Sequence, residues 1–308
     1  MISSSAPLLF ATILAPLFSI RAADSFHLAE GMTRAEAGDT GAMFAVGRAY
    51  EKGEGAPLDS AKAAGFFRKA AEAGLAKAQT NLGAMYVEGR GVEKDFGEAV
   101  KWLRQAAAQG DSLALQNLGW MAFQGLGMER DAAAGLAWYR QSAEAGLPEA
   151  QLRLGDLYYW GREGVPCDLA EAARWLEKAA AQGVAAAQNT LGTMQETGKG
   201  THQDLEKAVR FFRAAAEQGH ARAQMNLGRM YAAGTGVAQD FHAAGYWFVL
   251  AMNGKETSGE KRLEELFGQR DPLYREVADL VMDTGRQGVQ VLVKQILATL
   301  AERWQVSV

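Results

Sequence analysis

A single glycine recurs along this chain at an almost constant interval, and that interval constrains the fold more than any other feature. Neighbouring copies lie 36 residues apart, with one step of 37 residues. These marker glycines are Gly47, Gly83, Gly119, Gly155, Gly192 and Gly228. A fixed period of about 20–50 residues is typical of solenoids and other repeat arrays. Each unit of such an array buries its apolar face on its neighbours, so the chain needs no single compact core.

Two other positions follow the same frame. Tyrosine stands three residues after the marker in four of the six repeats. An aromatic residue stands 19 residues after the marker, or 20 in the one longer repeat. These residues are Phe66, Trp102, Trp138, Trp175, Phe211 and Trp247. A glycine inside a helix costs about 1 kcal/mol relative to alanine, so its retention predicts a close helix crossing. We expect the aromatic residue to fill the space that remains between repeats.

Each repeat reads as two helices joined by a tight turn. In the second repeat, small and apolar residues at helical spacing run through AKAQTNLGAMYVEG, and the helix is predicted to end at Gly89 in a left-handed cap. Gly91 allows the chain to turn back, and Asp95 is placed to cap the next helix. The turn GRGVEKD resembles a phosphate-binding loop, but it recurs in every repeat and lacks the strand and the third glycine of that motif.

The repeated pattern is A-x-x-x-L-G-x-x-Y-x-x-G-x-G-V-x-x-D-x-x-x-A-x-x-W-x-x-x-A-A-x-x-G, and it resembles that of the Sel1-like repeat family, a relative of the tetratricopeptide repeat. The resemblance implies an all-α fold, a right-handed α/α solenoid of six Sel1-like repeats. It also implies a role as an adaptor or regulator that binds a protein or peptide partner, since few members of the family are enzymes.

The chain divides into four segments by composition and pattern. Residues 1–23 are predicted to be a signal peptide, 24–39 a lead-in, 40–254 the six repeats and 255–308 a set of C-terminal capping helices. The final amphipathic helix of the last segment has an alternative role, which is to bind a partner or a membrane surface.

The prediction of export depends on the first of these segments. An apolar stretch, Leu8–Ile20, has the length of a signal-peptide core and is short for a membrane span. Two features do not fit a signal peptide: the stretch before it lacks Lys and Arg, and Arg21 lies where a cleavage site prefers a small residue. From the length of the apolar stretch we expect a periplasmic or secreted protein. A cytoplasmic scaffold is the alternative if the segment stays attached.

Composition and motifs give no sign of catalysis or of nucleic-acid binding. The formal net charge is −4 and no basic run occurs, which argues against a nucleic-acid partner. The four histidines have no metal-ligand spacing, and neither G-x-S-x-G nor a P-loop occurs. His202 and His220 are expected to be solvent-exposed variations, and Cys167 an incidental turn residue. No catalytic, cofactor-binding or metal-binding residue is predicted.

One enzymatic alternative comes from the family resemblance. Some exported Sel1-like proteins that have been linked to β-lactam binding carry a cysteine pair in each repeat. This chain has a single cysteine, so that activity does not transfer to it. An envelope enzyme acting on a cell-wall or β-lactam-like ligand stays as the alternative to a binding scaffold.

The predicted partner-binding surface lies on the first helices of repeats three and four, which line the concave groove of a solenoid. Large aromatic residues stand there at positions that the repeat does not fix. The predicted site residues are Trp120, Phe123, Arg153, Asp156, Tyr159 and Trp160. Because Ala122 replaces the usual tyrosine, Trp120 or Phe123 has the alternative of turning inward. We expect at least two of the four aromatic residues to be exposed, since aromatic residues and arginine are enriched at binding hot spots.

Overall fold

A computed structural model describes residues 28–253 of the chain, with the side chains of residues 241–242 and 252–253 left aside. Between residues 28 and 253 the chain forms thirteen α-helices and no β-strand. The helices are α1 (Leu28–Glu36), α2 (Thr40–Lys52), α3 (Ser60–Glu72), α4 (Ala76–Glu88), α5 (Phe96–Ala108), α6 (Ser112–Gln124), α7 (Ala132–Glu144), α8 (Pro148–Trp160), α9 (Leu169–Ala181), α10 (Ala185–Thr197), α11 (Leu205–Glu217), α12 (Ala221–Ala233) and α13 (Phe241–Asn253). The all-α repeat fold is therefore confirmed. The predicted signal peptide and the predicted C-terminal capping helices lie outside the described residues.

The helices from α2 onward alternate in role. The even-numbered helices carry the marker glycines and are called A helices here, and the odd-numbered helices from α3 onward are called B helices. The chain forms two compact units, one ending at Asp95 and one beginning at Phe96. Within each unit, successive helices pack against one another. None of the described helices has both the length and the apolar character that a bilayer span requires.

Turn and cap chemistry delimits the helices as the sequence predicts. Every A helix ends at a glycine in the left-handed region, with φ between 59° at Gly161 and 73° at Gly89. Most B helices begin after an aspartate whose carboxylate accepts a backbone N–H of the first turn. These aspartates are Asp59, Asp131, Asp168, Asp204 and Asp240. The remaining B helix, α5, begins directly after Asp95.

The second glycine of the turn joins one repeat to the repeat before it. A Cβ added at Gly91 would clash with the backbone carbonyl of Ser60, at the start of the preceding B helix. Gly236 stands in the same way against the carbonyl of Leu205. Only glycine allows this approach, and it also holds a positive φ of 68° at Gly91 and 70° at Gly236.

The marker glycines are closely approached by side chains of the following B helix. A Cβ added at Gly47 would lie 2.7 Å from the Phe67 ring, and one added at Gly192 would lie 2.6 Å from the Phe212 ring. Both rings stand 20 residues after the marker, and both are buried. Of the aromatic residues at position 19, Trp175 is buried and the others are half-buried. The residue at position 20 therefore fills the helix crossing. Trp175, Phe211 and Trp247 pack against core clusters that join neighbouring repeats, as expected for an aromatic residue between repeats.

Buried glutamines connect successive repeats through the backbone. The side-chain amide of Gln151 donates to the Ala143 carbonyl at 3.0 Å, and that of Gln224 donates to the Ala216 carbonyl at 3.1 Å. Gln79 and Gln188 make the equivalent bonds. These bonds satisfy carbonyls near the end of the preceding B helix, where intrahelical donors run out. Repeat three has Leu115 at this position.

Candidate functional site

Trp160 ends helix α8 and is the most exposed aromatic side chain among the described residues. Its exposed fraction is 57%, and the one other large hydrophobic side chain exposed in this part of the chain is Leu58, at 70%. The Tyr159 and Trp160 rings meet edge to face, with centroids 4.7 Å apart. The guanidinium of Arg162 lies over the Trp160 ring, 5.1 Å from its centroid. The indole therefore contacts both a neighbouring ring and a cation at the protein surface.

Trp120 and Tyr159 are each half-buried at the same core cluster. This cluster contains Tyr139, Tyr158 and Trp175, and Tyr159 also contacts the next cluster along the chain. Each ring therefore has one part fixed in the core and another part accessible. Trp120, Asp156, Tyr159 and Trp160 are called the Trp160 surface below.

Phe123 does not belong to this surface, and its predicted role is corrected. It is only 2% exposed, and its ring stacks on Tyr139 with centroids 5.7 Å apart. The alternative given in the sequence analysis, that Phe123 turns inward, is therefore the one that occurs. Ala122 replaces the usual tyrosine, and Gly135 opens space on the facing B helix. With Phe123 buried and Trp120 and Tyr159 half-buried, Trp160 alone is exposed, so the expectation of two exposed aromatic residues is wrong.

Arg153 is held by a carboxylate that the sequence analysis did not anticipate. Its guanidinium lies 2.7 Å from Glu163 Oε1. Glu163 occupies the turn of the longer repeat and is the one non-glycine residue with a positive φ, 58°, between residues 28 and 253. A non-glycine residue in this region is uncommon and costs about 1–3 kcal/mol, so it persists only where its surroundings fix it. The second carboxylate oxygen, Glu163 Oε2, is buried without a hydrogen-bond partner.

Asp156 is half-buried and makes no hydrogen bond or ion pair with the described residues. Burial raises the pKa of its carboxyl group to about 6, although the charges of Arg153 and Arg162 oppose the rise. Burial likewise raises the pKa of Tyr139 to about 12, opposed by Arg153 and reinforced by Glu163. A carboxyl group that is partly desolvated and has no donor is unusual, because buried polar groups normally find a hydrogen-bond partner.

The stacking of the repeats explains why Asp156 lacks a partner. One position after the marker, Arg229 of repeat six pairs with Glu196, which stands four positions after the marker in repeat five, at 2.7 Å. Asp156 holds the Arg229 position in repeat four. The residue that corresponds to Glu196 in repeat three is Phe123, and its side chain is buried in the core. Phenylalanine has no donor or charged group, so this register supplies no partner for Asp156.

Cys167 is an exposed turn residue, as expected. It is not incidental, however, because its position has a role in capping the preceding helix. Its thiol donates to the Tyr159 carbonyl at 3.5 Å. In other repeats a longer side chain at this position donates to the equivalent carbonyl at the end of the A helix. These donors are Arg130, Gln203 and Gln239. Cys167 is therefore a short donor at a helix-capping position.

His202 is exposed, whereas the expectation for His220 is corrected. His220 is half-buried and caps α12, where its Nδ1 accepts the N–H of Ala223 at 3.2 Å. Burial and, to a smaller extent, the charge of Arg222 lower its pKa. Asp39 and Asp111 hold the same place before other A helices, which is the sequence signal that identifies the cap. In the described part of the chain, no three His, Cys, Asp or Glu side chains are grouped so that they could hold a metal ion.

Comparison with known proteins now identifies the repeat. The Sel1 repeat model matches six consecutive segments, which are residues 40–75, 76–111, 112–147, 148–184, 185–220 and 221–253. The chain belongs to the Sel1 repeat family. Sel1-repeat proteins generally mediate protein–protein interaction.

Two solved structures of Sel1-repeat proteins are similar to this chain. One is a protective antigen present in uropathogenic Escherichia coli strains, at 30% identity and a TM-score of 0.70; the match covers 90% of this chain and 64% of the antigen. The other is a Sel1 repeat protein from Oxalobacter formigenes, at 33% identity and a TM-score of 0.65; the match covers 74% of this chain and 100% of that protein. Both support the repeat fold.

Short matches to an enzyme also occur among curated proteins. A segment of 41 residues is 49% identical to shikimate kinase from Nitrosomonas europaea, which is 13% of this chain and 19% of the kinase. A similar 41-residue segment is 46% identical to shikimate kinase from Chromobacterium violaceum. The chain thus spans about a fifth of the length of the curated relatives that it matches.

Proposed function

We propose that this Sel1-repeat protein is an exported, non-catalytic adaptor that binds a protein partner through the A-helix face of repeats three and four. This is the face that the sequence predicts to line the concave groove. The Trp160 surface is the contact, with Arg153 beside it. The fold supports the general role, since Sel1 repeats generally mediate protein–protein interaction. The choice of face depends on the side chains described above.

The observation that carries the proposal is the exposure of Trp160. The other repeats have small, polar or charged residues at its position. They are Lys52, Glu88, Gln124, Thr197 and Ala233. The fold therefore does not require an indole here, and leaving one 57% exposed keeps apolar area in water. Tryptophan and tyrosine are the side chains that most often dominate binding energy at interfaces, where they bury large area with few rotatable bonds.

A photo-reactive amino acid at position 160 tests the proposal directly. The full chain would be expressed in its own host with a photo-reactive aromatic amino acid, which keeps a ring in that place, replacing Trp160. It would then be irradiated and searched for covalent adducts. The matched control places the same amino acid at Leu58, the other exposed apolar position. We expect a discrete adduct from position 160 that is absent from position 58. Equal adducts from both positions, or none from position 160, would contradict the proposed surface.

A second variant separates binding from folding. Trp160→Ala removes an exposed side chain, so we expect unfolding to change little while capture of the cross-linked partner weakens at least tenfold. Leu58→Ser is the control and should leave capture unchanged. If the partner binds Trp160→Ala as tightly as it binds the parent chain, its contact does not include Trp160 and the proposed surface is wrong.

The export part of the proposal is supported by the apolar stretch Leu8–Ile20 and by the absence of acids from residues 1–23. Mass spectrometry of the protein purified from its host measures the mature N-terminus. A chain that begins near residue 24 supports export. A chain that retains residues 1–23 and fractionates with the cytoplasm would contradict export and leave the binding surface as it is.

A further inference from the structure

Asp156 and Trp160 lie on the same helix, four residues apart, and therefore share a face of α8. We propose that the Trp160 surface receives a basic side chain, lysine or arginine, from the protein partner. The cationic end lies at the Asp156 carboxylate, and the aliphatic stem lies along the Tyr159 and Trp160 rings. This inference depends on the proposed function, since it names the chemistry of the partner at that same surface.

The first support is the unused acceptor capacity of the surface. Asp156 has no hydrogen bond or ion pair among the described residues, although it is half-buried. A partly desolvated, ionised carboxylate without a donor is costly, and a charged donor of good geometry offsets that cost. The Asp156 oxygens are acceptors, so the group that fits them is a donor.

The second support is the aromatic wall beside Asp156. The Arg162 guanidinium already lies over the Trp160 ring, which shows that this indole face accepts a cation. Lysine and arginine carry three or four methylene groups that lie well against apolar surface while the charge reaches a polar group. The edge-to-face arrangement of Tyr159 and Trp160 offers two such ring surfaces at an angle of 84°.

The two nearby arginines do not take the place of the partner. Arg153 is bound to Glu163 Oε1, and Arg162 lies over the indole. Both act on Asp156 through space, and neither donates a hydrogen bond to it. They would also attract an acidic group, but such a group would have to lie against the Asp156 carboxylate. An acidic partner is therefore the competing outcome, and the experiment below distinguishes it.

The geometry of Asp156 also predicts how binding of a basic peptide depends on pH. Burial raises the pKa of Asp156 to about 6, with Arg153 and Arg162 opposing that rise. Arg153 in turn pairs with Glu163 and acts on the Tyr139 phenol, whose pKa of about 12 keeps it neutral between pH 5 and 7.5. A bound cation favours the ionised carboxyl group. Binding of a basic peptide should therefore weaken as the pH falls from 7.5 to 5.

A displayed library of random twelve-residue peptides tests the inference without a known partner. The library is selected on the full chain and, in parallel, on Trp160→Ala, so that peptides bound at the Trp160 surface are those that the variant loses. We expect this set to be enriched in peptides with lysine or arginine next to an apolar residue. A set that depends on Trp160 but lacks basic residues, or is enriched in acidic ones, overturns the inference.

The best basic peptide is then measured by fluorescence polarisation. Replacing its lysine or arginine by norleucine should weaken binding tenfold or more, and Asp156→Asn should weaken the original peptide to the same degree. Glu196→Gln is the matched control, because Glu196 is a carboxylate on the same face that is already paired with Arg229. An unchanged affinity for Asp156→Asn overturns the inference.

The two levels of the proposal fail separately. If selection yields no peptide that depends on Trp160, and no adduct forms at position 160, the proposed binding surface fails and this inference fails with it. If Trp160-dependent peptides or adducts form and Asp156→Asn does not change their binding, the proposed surface is retained. Only the inference of a basic partner is then wrong.

Discussion

The Phe123 ring lies directly against the Cα of Gly135, in the space that a side chain would occupy. A Cβ added at Gly135 would be 2.9 Å from the ring. The equivalent position is alanine in every other repeat, namely Ala63, Ala99, Ala172, Ala208 and Ala244. The missing methyl group thus lets Phe123 turn inward. Because this residue is apolar, no polar side chain stands to Asp156 as Glu196 stands to Arg229.

Gly135→Ala should destabilise the protein despite its higher helix propensity. The added methyl group would press on the Phe123 ring at 2.9 Å and on the Gly119 carbonyl at 3.1 Å, and overpacking of this kind costs about 1–3 kcal/mol. Urea unfolding followed by far-UV circular dichroism measures the change. Gly65→Ala is the control, since an added Cβ there meets nothing within 4 Å and should stabilise the helix by up to about 1 kcal/mol. Equal effects of the two substitutions would contradict the Phe123 contact.

Asp156→Asn should stabilise the isolated protein at neutral pH. The folded-state pKa of Asp156, about 6, lies above the ordinary value of 3.8, so folding favours the protonated form. Ionisation therefore lowers stability as the pH rises from about 4 to above 6, and the amide removes that loss, worth roughly 1–3 kcal/mol. The gain should be present at pH 7.5 and vanish near pH 3.5 in thermal unfolding. A gain that is the same at both pH values would mean that ionisation of Asp156 is not its source.

Cys167→Gln should stabilise the turn of repeat four. The thiol is a weak donor at 3.5 Å from the Tyr159 carbonyl, whereas Gln203 and Gln239 reach the equivalent carbonyls at 2.8 Å. A normal hydrogen bond contributes about 0.5–1.5 kcal/mol, and we expect a gain within that range in chemical denaturation. Leu58→Gln, at the same position of repeat one, should act alike and remove an exposed apolar side chain. A loss of stability in both variants would refute the capping role of this position.

His220→Asp should remove a pH-sensitive element from helix α12. The pKa of His220 is lowered below 6.5 by burial, so the unfolded chain binds the proton more strongly and stability falls as the pH drops below about 6.5. Protonated Nδ1 also cannot accept the Ala223 N–H. Thermal midpoints measured from pH 8 to pH 5 should decline less for His220→Asp, because the aspartate stays ionised across that range. His202→Asp, at an exposed turn, should leave the slope unchanged.

The sequence predicts the repeat frame well because its signals are local. Glycine at Gly89, glycine at Gly91 and aspartate at Asp95 act within a few residues of their own position, through backbone conformation and capping. The residue that meets the marker glycine, at position 20, is a different case. A helical pattern of this width fixes which face is apolar, but it does not fix which of two adjacent residues points at the glycine.

The burial and pairing of the site's side chains depend on contacts between helices, and the sequence pattern predicts such contacts only indirectly. Phe123 is buried because of Gly135, and Arg153 is engaged because one extra residue places Glu163 in its reach. Asp156 lacks a partner because of a residue in the preceding repeat. Each outcome depends on a second helix or turn. Comparing the same position across all six repeats would have revealed Gly135, since it alone breaks a column of alanines.

The contact between the turn glycine and the preceding B helix also bears on how this surface can change. At Gly91 against Ser60, and at Gly236 against Leu205, the joint is made by backbone atoms on both sides. Side chains on the A-helix face take no part in it. Substitutions on that face can therefore leave these backbone joints unchanged, and a whole unit such as residues 148–184 can be duplicated or transplanted with its joints intact. In each repeat, the side chains that can acquire a new partner are thus different atoms from the backbone groups that hold the repeats together.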